Sequence, residues 1–126
     1  MESRDVKRYL NQTNSIDLRI RAKLEQLDKL QQLLTKLGES DRTVKAVSAL
    51  QEEIDRDVEE LVFTKREIMD WISRLSMLEY KTVLELRYLR GWSMKRIAAN
   101  MNYSLGYAYD IHASAVEEIS RLIKRS

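Results

Sequence analysis

The sequence predicts an all-α protein, and three observations lead to this fold class. The 126 residues contain no proline and only three glycines, so very little interrupts a helix. Apolar side chains recur at intervals of three and four residues, which is the spacing of one helical face. One third of the chain is charged, as is typical of exposed helix surfaces. We therefore expect helices throughout and no strand-rich architecture.

The first long helix is predicted from about Val6 to Leu37. Its apolar positions form a seam close to a heptad repeat, with spacings of three and four residues: Ile16, Ile20, Leu24, Leu27, Leu30, Leu34 and Leu37. Gly38 follows at once, where helices commonly end in the left-handed conformation. Ser40 or Asp41 is then suited to cap the next helix.

The second long helix continues the same pattern, interrupted only at Lys65. Its apolar positions are Val44, Val47, Leu50, Ile54, Val58, Leu61, Ile68, Trp71 or Ile72, and Leu75. Two helices joined by a short loop predict a long antiparallel helical hairpin, coiled-coil-like, over residues 1–78. Such a hairpin has too little bulk for its own core, so we expect it to form a homodimer or to pack on the C-terminal part.

An acidic run lies within the second helix. It comprises Glu52, Glu53, Asp55, Asp57, Glu59 and Glu60. A di-iron site would need Glu-x-x-His pairs, and the chain has a single histidine. We expect a solvated helix face, partly paired as Glu52 with Arg56.

The segment 79–126 predicts three shorter helices. The first ends at Gly91, and Ser93 is the expected N-cap of the second. Asn102 is a residue that tolerates positive φ between helices, and Ser104 is the expected N-cap of the third. The buried stripe of the third helix should contain Ala108, Ile111, Ala115, Ile119 and Leu122. A short helix, a tight turn and a longer helix predict a helix-turn-helix domain.

A recognisable pattern runs through this C-terminal segment at the following positions: Leu84, Arg87, Tyr88, Leu89, Gly91, Ser93, Ile97, Ala98, Met101, Asn102, Tyr103, Ser104, Ile111, His112, Ala115 and Val116. In this pattern the segment resembles region 4 of sigma-70-type factors and, more closely, the small Gram-positive phage regulators of the RinA/ArpU kind. The resemblance implies a sigma-70 region 4-like helix-turn-helix that binds double-stranded DNA. It further implies a transcription regulator, a phage or prophage late-gene activator, acting in the bacterial host cytoplasm.

The DNA-binding residues expected on this basis are Lys95, Arg96, Ser104, Leu105, Gly106, Tyr109, Asp110, His112 and Ala113. Lys95 and Arg96 begin the short helix and suit phosphate contacts. The others cap the third helix or form its exposed face, which would meet base edges. This face departs from sigma factors, because no Arg or Lys stands between Ser104 and Glu118.

Composition excludes several other classes of function. Without cysteine there are no disulfides, thiolate zinc sites or thiol nucleophiles, and one histidine cannot build a multi-histidine metal site. We therefore expect no enzyme activity and no cofactor. No stretch approaches the roughly 18 apolar residues of a membrane span, so we expect a soluble intracellular protein. Residues 79–126 hold 8 Lys and Arg against 5 Asp and Glu, a weakly basic balance that fits a nucleic-acid partner.

Two alternative functions remain open at the level of sequence. One is a sigma-like module that docks on bacterial RNA polymerase and has lost DNA reading, which the absence of Arg and Lys between Ser104 and Glu118 favours. The other is a small terminase subunit that recognises packaging DNA, although in such proteins the DNA-binding domain usually comes first.

Overall fold

Helices follow one another through the part of the chain that the computed structural model describes, residues 2–126. They make up 86% of the chain, and the described residues contain no strand. In order they are α1 (Ser3–Leu10), α2 (Gln12–Leu37), α3 (Asp41–Ser73), α4 (Leu78–Leu84), a π-helical turn (Glu85–Leu89), α5 (Met94–Met101) and α6 (Leu105–Arg125). The predicted all-α class is confirmed.

The described residues divide into two compact units. The terminal unit comprises residues 2–14 and 64–126, and the middle unit comprises residues 15–63. This division differs from the sequence boundary at residue 78, because 2–14 and 64–78 pack with the C-terminal helices. The reason is apolar burial, since the residues that these two segments contribute to the core are almost completely enclosed.

The main core of the terminal unit joins both ends of the chain. Its buried members are Val6, Leu10, Ile68, Ile72, Leu75, Leu84, Tyr88, Ala115, Val116 and Ile119. Val6 and Leu10 lie one turn apart on α1, and α1 packs on α6. Because burial of one such side chain contributes about 1.5–3 kcal/mol, this contact accounts for the placement of α1.

A second apolar cluster in the terminal unit supports α5 and the first half of α6. It contains Val83, Leu86, Met94, Ile97, Ala98, Ala108 and Ile111, with Trp92 packed against it. The predicted stripe of α6 is confirmed at Ala108, Ile111, Ala115 and Ile119, while Leu122 is half-buried.

In the middle unit, α2 and α3 run antiparallel. Arg19 Nη2 lies 2.7 Å from Glu60 Oε2, and Lys23 Nζ lies 2.8 Å from Asp57 Oδ2.

The predicted seam is buried at Ile16, Ile20, Leu50 and Ile54, half-buried at Val47, Leu27, Leu30, Leu34 and Leu61, and exposed at Leu24, Leu37, Val44 and Val58. The four exposed positions leave part of the seam uncovered within one chain, in a hairpin that was expected to have too little bulk for its own core. Ser40 caps α3, since its Oγ accepts a hydrogen bond from Thr43 N at 3.2 Å.

Asp57 departs from the solvated face expected for the acidic run. Its residue exposure is 8%, and it pairs with Lys23 and, at 3.3 Å, with Arg19 Nε. The hydrogen bond from Lys23 and the neighbouring Arg19 hold the pKa of Asp57 below its usual value. The other acidic residues of the run are exposed. Asp57 thus serves to join α2 to α3.

The helix predicted over 79–90 is regular only as far as Leu84. A π-helical turn follows, in which Arg90 N donates to Glu85 O at 3.1 Å. Gly91 then has φ +71, so the predicted glycine stop is confirmed. The wider turn brings the Tyr88 carbonyl within hydrogen-bond reach of Thr13 Oγ1, which donates to it.

Candidate nucleic-acid interface

The start of α5 presents two cations on its outer side. Ser93 Oγ accepts a hydrogen bond from Arg96 N at 3.2 Å, which confirms Ser93 as N-cap. Met94 and Ile97 face the core, whereas Lys95 and Arg96 are exposed. The Arg96 guanidinium carbon lies 3.8 Å from the centre of the Trp92 ring. This stacking restrains the Arg96 head, while Lys95 is left free to reach outward.

The backbone of Trp92 is itself fixed. Arg87 Nη1 donates to the Trp92 carbonyl at 3.0 Å, and Trp92 N donates to Leu86 O at 2.9 Å. The π-helical turn that precedes Trp92 therefore fixes the residue on which Arg96 stacks.

A tight turn connects α5 to α6. Asn102 has φ 59 and ψ 38, and Tyr103 N donates to Ala98 O at 2.8 Å, which closes the end of α5. Ser104 Oγ accepts from Tyr107 N at 3.1 Å and so caps α6. The predicted roles of Asn102 as left-handed residue and Ser104 as N-cap are confirmed. The connection leaves the first turn of α6 at the surface.

The exposed side of the first half of α6 contains five of the predicted site residues. Leu105 is 41% exposed and Tyr109 is 52% exposed, and Gly106, Asp110 and Ala113 are exposed as well. A Cβ built on Gly106 would meet no atom within 4 Å, so the surface in front of the first turn is open. These side chains and the α6 N-terminus form one continuous face, which we call the α6 face.

His112 does not belong to the α6 face, and its predicted placement there is wrong. It is only 8% exposed, and its Nε2 lies 2.6 Å from the Tyr88 hydroxyl, with which it forms a hydrogen bond. Burial lowers the pKa of His112 to about 4, with further contributions from the charges of Lys7 and Arg87. The residue is therefore a neutral core histidine that joins α6 to the π-helical turn.

Two residues near this interface escaped the sequence prediction. Tyr107, which is not among the predicted site residues, is 48% exposed, and its ring meets Tyr103 edge-on with 4.8 Å between centroids. Thr13 is buried and bonds the carbonyl of Tyr88, the partner of His112. The signal for Thr13 was its spacing, because it lies three residues after Leu10 and three before Ile16 on the first apolar stripe.

Comparison with protein families gives one match, to a protein family of unknown function, DUF1492, over residues 34–120. The chain belongs to the DUF1492 family. DUF1492 is found in phage proteins, and the match runs from the end of α2 through most of α6, including the whole α6 face. Comparisons with curated proteins and with solved structures give no significant match.

Two further properties bear on the class of site. Within residues 2–126, no helix is both long and apolar enough to cross a bilayer. Over the same residues, no three His, Cys, Asp or Glu side chains come together as metal ligands.

Proposed function

We propose that the protein is a sequence-specific regulator of transcription that binds double-stranded DNA, with α5, the turn and α6 acting as a sigma-70 region 4-like helix-turn-helix. The observation that carries the proposal is the open α6 face, which directly follows a capped α5 with Lys95 and Arg96 on its outer side. In this arrangement the two cations contact phosphates while the α6 face enters the major groove.

The setting of this regulation is proposed from the family. DUF1492 is found in phage proteins, and the motif of residues 84–119 resembles phage regulators, so control of phage or prophage late genes is the expected role. The mode of action then requires no bound cofactor and no catalytic step.

The middle unit is proposed to hold two copies together. Large apolar side chains of this unit are at least 41% exposed within one chain: Leu18, Leu24, Leu33, Leu37, Val44, Val58, Val62 and Phe63. Burial of these side chains against a second copy would remove them from water, which favours association. Light scattering should give at least twice the chain mass of 14.9 kDa. Leu24→Asp should reduce the mass to that of one chain, whereas Gln26→Asp, on an exposed neighbour, should not.

The central experiment measures affinity for duplex DNA as a function of salt. Each phosphate contact contributes about 0.9 to the slope of log K against log salt, so Lys95→Ala should make the slope shallower by about that amount. At 0.1 M salt this loss corresponds to about eightfold weaker binding. Arg96→Ala should act similarly. Lys124→Ala, which removes an exposed cation near the end of α6, is the matched control and should change neither quantity.

Fluorescence anisotropy with random-sequence and selected duplexes provides the measurement. The loss should be similar on both, because phosphate contacts carry no sequence information. Unchanged affinity and slope for both Lys95→Ala and Arg96→Ala would contradict the proposed orientation on DNA.

The chemistry of the α6 face also favours a second candidate, a sigma-like module that docks on RNA polymerase. Leu105 and Tyr109 of this face and the neighbouring Tyr107 are all more than 40% exposed, and no cation lies between Ser104 and Glu118. Such an apolar, aromatic surface suits a protein partner. Purified bacterial RNA polymerase should then bind the protein, and Tyr107→Ser should weaken that binding while DNA binding stays absent.

A further inference from the structure

The α6 face has a definite order of side chains across its width. At about 100° per residue, Leu105, Tyr109, Ala113, Gly106 and Asp110 follow one another over an arc of about 140°. The middle of the arc is occupied by Ala113 and Gly106, the two smallest side chains. Leu105 and Tyr109 stand on one side, and Asp110 stands on the other.

Small residues in the middle let the helix approach a surface closely. Ala113 and Gly106 are exposed, and nothing lies within 4 Å of a Cβ at Gly106. A major groove about 12 Å wide admits one helix, and its depth is used best when the central side chains are small. The larger Leu105 then lies at one edge of the contact.

The α6 face lacks the groups that read guanine. Guanine offers two acceptors in the major groove and is bound best by Arg or Lys, neither of which occurs between Ser104 and Glu118. The side chain of Asp110 has only acceptor oxygens when ionised, so it repels the guanine edge and accepts from the amino groups of cytosine or adenine.

The remaining base feature that suits this face is the thymine C5-methyl group, the apolar group of the major groove. Leu105 is 41% exposed, and the Ala113 methyl group is exposed two turns further on. Eight residues at 1.5 Å each separate them by about 12 Å along α6. At 3.4 Å per base pair, the two side chains reach methyl groups about three to four base pairs apart.

We propose that the α6 face reads thymine through its C5-methyl group, with Leu105 and Ala113 as the apolar contacts and Asp110 as the acceptor for a neighbouring base amino group. This inference rests on the proposed DNA-binding function and specifies the sequences that it selects. The sites contain thymines three to four base pairs apart, and guanine is disfavoured opposite Asp110.

The test replaces thymine by deoxyuridine, which removes only the methyl group and leaves base pairing intact. Sites are first selected from random duplexes with the full chain, and each thymine is then replaced singly. At the thymine that contacts Leu105, binding should weaken about fourfold, the effect of exposing one methyl-sized group. With Leu105→Ala, thymine and deoxyuridine duplexes should bind equally.

A matched control is Leu78→Ala, since Leu78 at the start of α4 is 73% exposed and lies outside the α6 face. This variant should keep the full difference between thymine and deoxyuridine. Circular dichroism of both variants verifies that the helices are retained, as expected for substitutions at exposed positions.

Two results overturn the inference, and they differ in what they leave standing. If the protein selects a site but binds thymine and deoxyuridine duplexes equally, thymine reading is wrong and the proposed function stands. If no duplex is bound or no sequence is selected, the proposed function fails as well, and binding to purified RNA polymerase would then identify the docking module.

Discussion

Protonation of His112 should destabilise the terminal unit as the pH falls from 7 to 5. The imidazole is buried against the Tyr88 hydroxyl, and the charged groups that act on it, Lys7 and Arg87, are both cations. The folded protein therefore resists protonation of this residue. The unfolded chain does not, because its histidine keeps the ordinary pKa of 6.5.

The size of the effect follows from the two pKa values. With a pKa of about 4 in the folded protein and 6.5 in the unfolded chain, the stabilisation is fully present above pH 6.5 and is lost as the pH falls toward 4. Proton linkage between these values gives a loss of about 2 kcal/mol from pH 7 to pH 5. That is a large part of the 5–15 kcal/mol that typically stabilises a domain.

Urea unfolding followed by tryptophan fluorescence measures this loss of stability in the terminal unit itself. The chain has two tryptophans, Trp71 and Trp92, and both belong to the terminal unit. His112→Gln keeps a hydrogen-bonding group near Tyr88 but does not titrate, so its unfolding free energy should be nearly constant over the same pH range. An equal decrease in the wild type and in His112→Gln would refute the reasoning, because carboxylates would then account for it.

The remaining predictions concern one buried charge and one backbone conformation. Asp57→Asn should lower the thermal midpoint of the middle unit, measured by circular dichroism at 222 nm, because Lys23 and Arg19 lose their shared anion. Asp55→Asn, at an exposed position of the same helix, should leave this midpoint unchanged. Asn102→Ala should destabilise the terminal unit by about 1 kcal/mol in urea unfolding. The reason is that alanine has a Cβ but no side-chain hydrogen bond to offset the strain at φ 59. Asn102→Gly should not destabilise the unit. An Asn102→Ala variant as stable as Asn102→Gly would contradict the second of these.

Features that depend on near neighbours in sequence could be predicted. Ser93 and Ser104 cap helices through hydrogen bonds to backbone groups three residues away, and Asn102 and Gly91 end helices through their own φ angles. Such signals lie within one turn of the residue that carries them, so the sequence is enough to read them. The start of α5 at Ser93 and its end at Asn102 could therefore be predicted from the sequence.

His112 shows why other features could not be predicted. The stripe of Ala108, Ile111 and Ala115 is narrow, and it leaves His112 on the outer side if only the three C-terminal helices are considered. Helix α1 packs on α6, and its Val6 and Leu10 share one core with Val116 from about a hundred residues away in sequence. The buried side of α6 is therefore wider than that stripe. The π-helical turn likewise has a distant partner, because Thr13 at the start of α2 donates a hydrogen bond to the Tyr88 carbonyl.

The contribution of α1 to the core also sets an order of events during synthesis. Val6 and Leu10 are made more than a hundred residues before their partners Val116 and Ile119. At about 5–20 residues per second, α1 waits about 5–20 seconds for these partners on α6. The middle unit, whose contacts lie within residues 15–63, is free to fold during that wait. A nascent chain stalled before Val116 therefore has a core that lacks its α6 members, and chaperones or proteases can bind the apolar side chains left exposed.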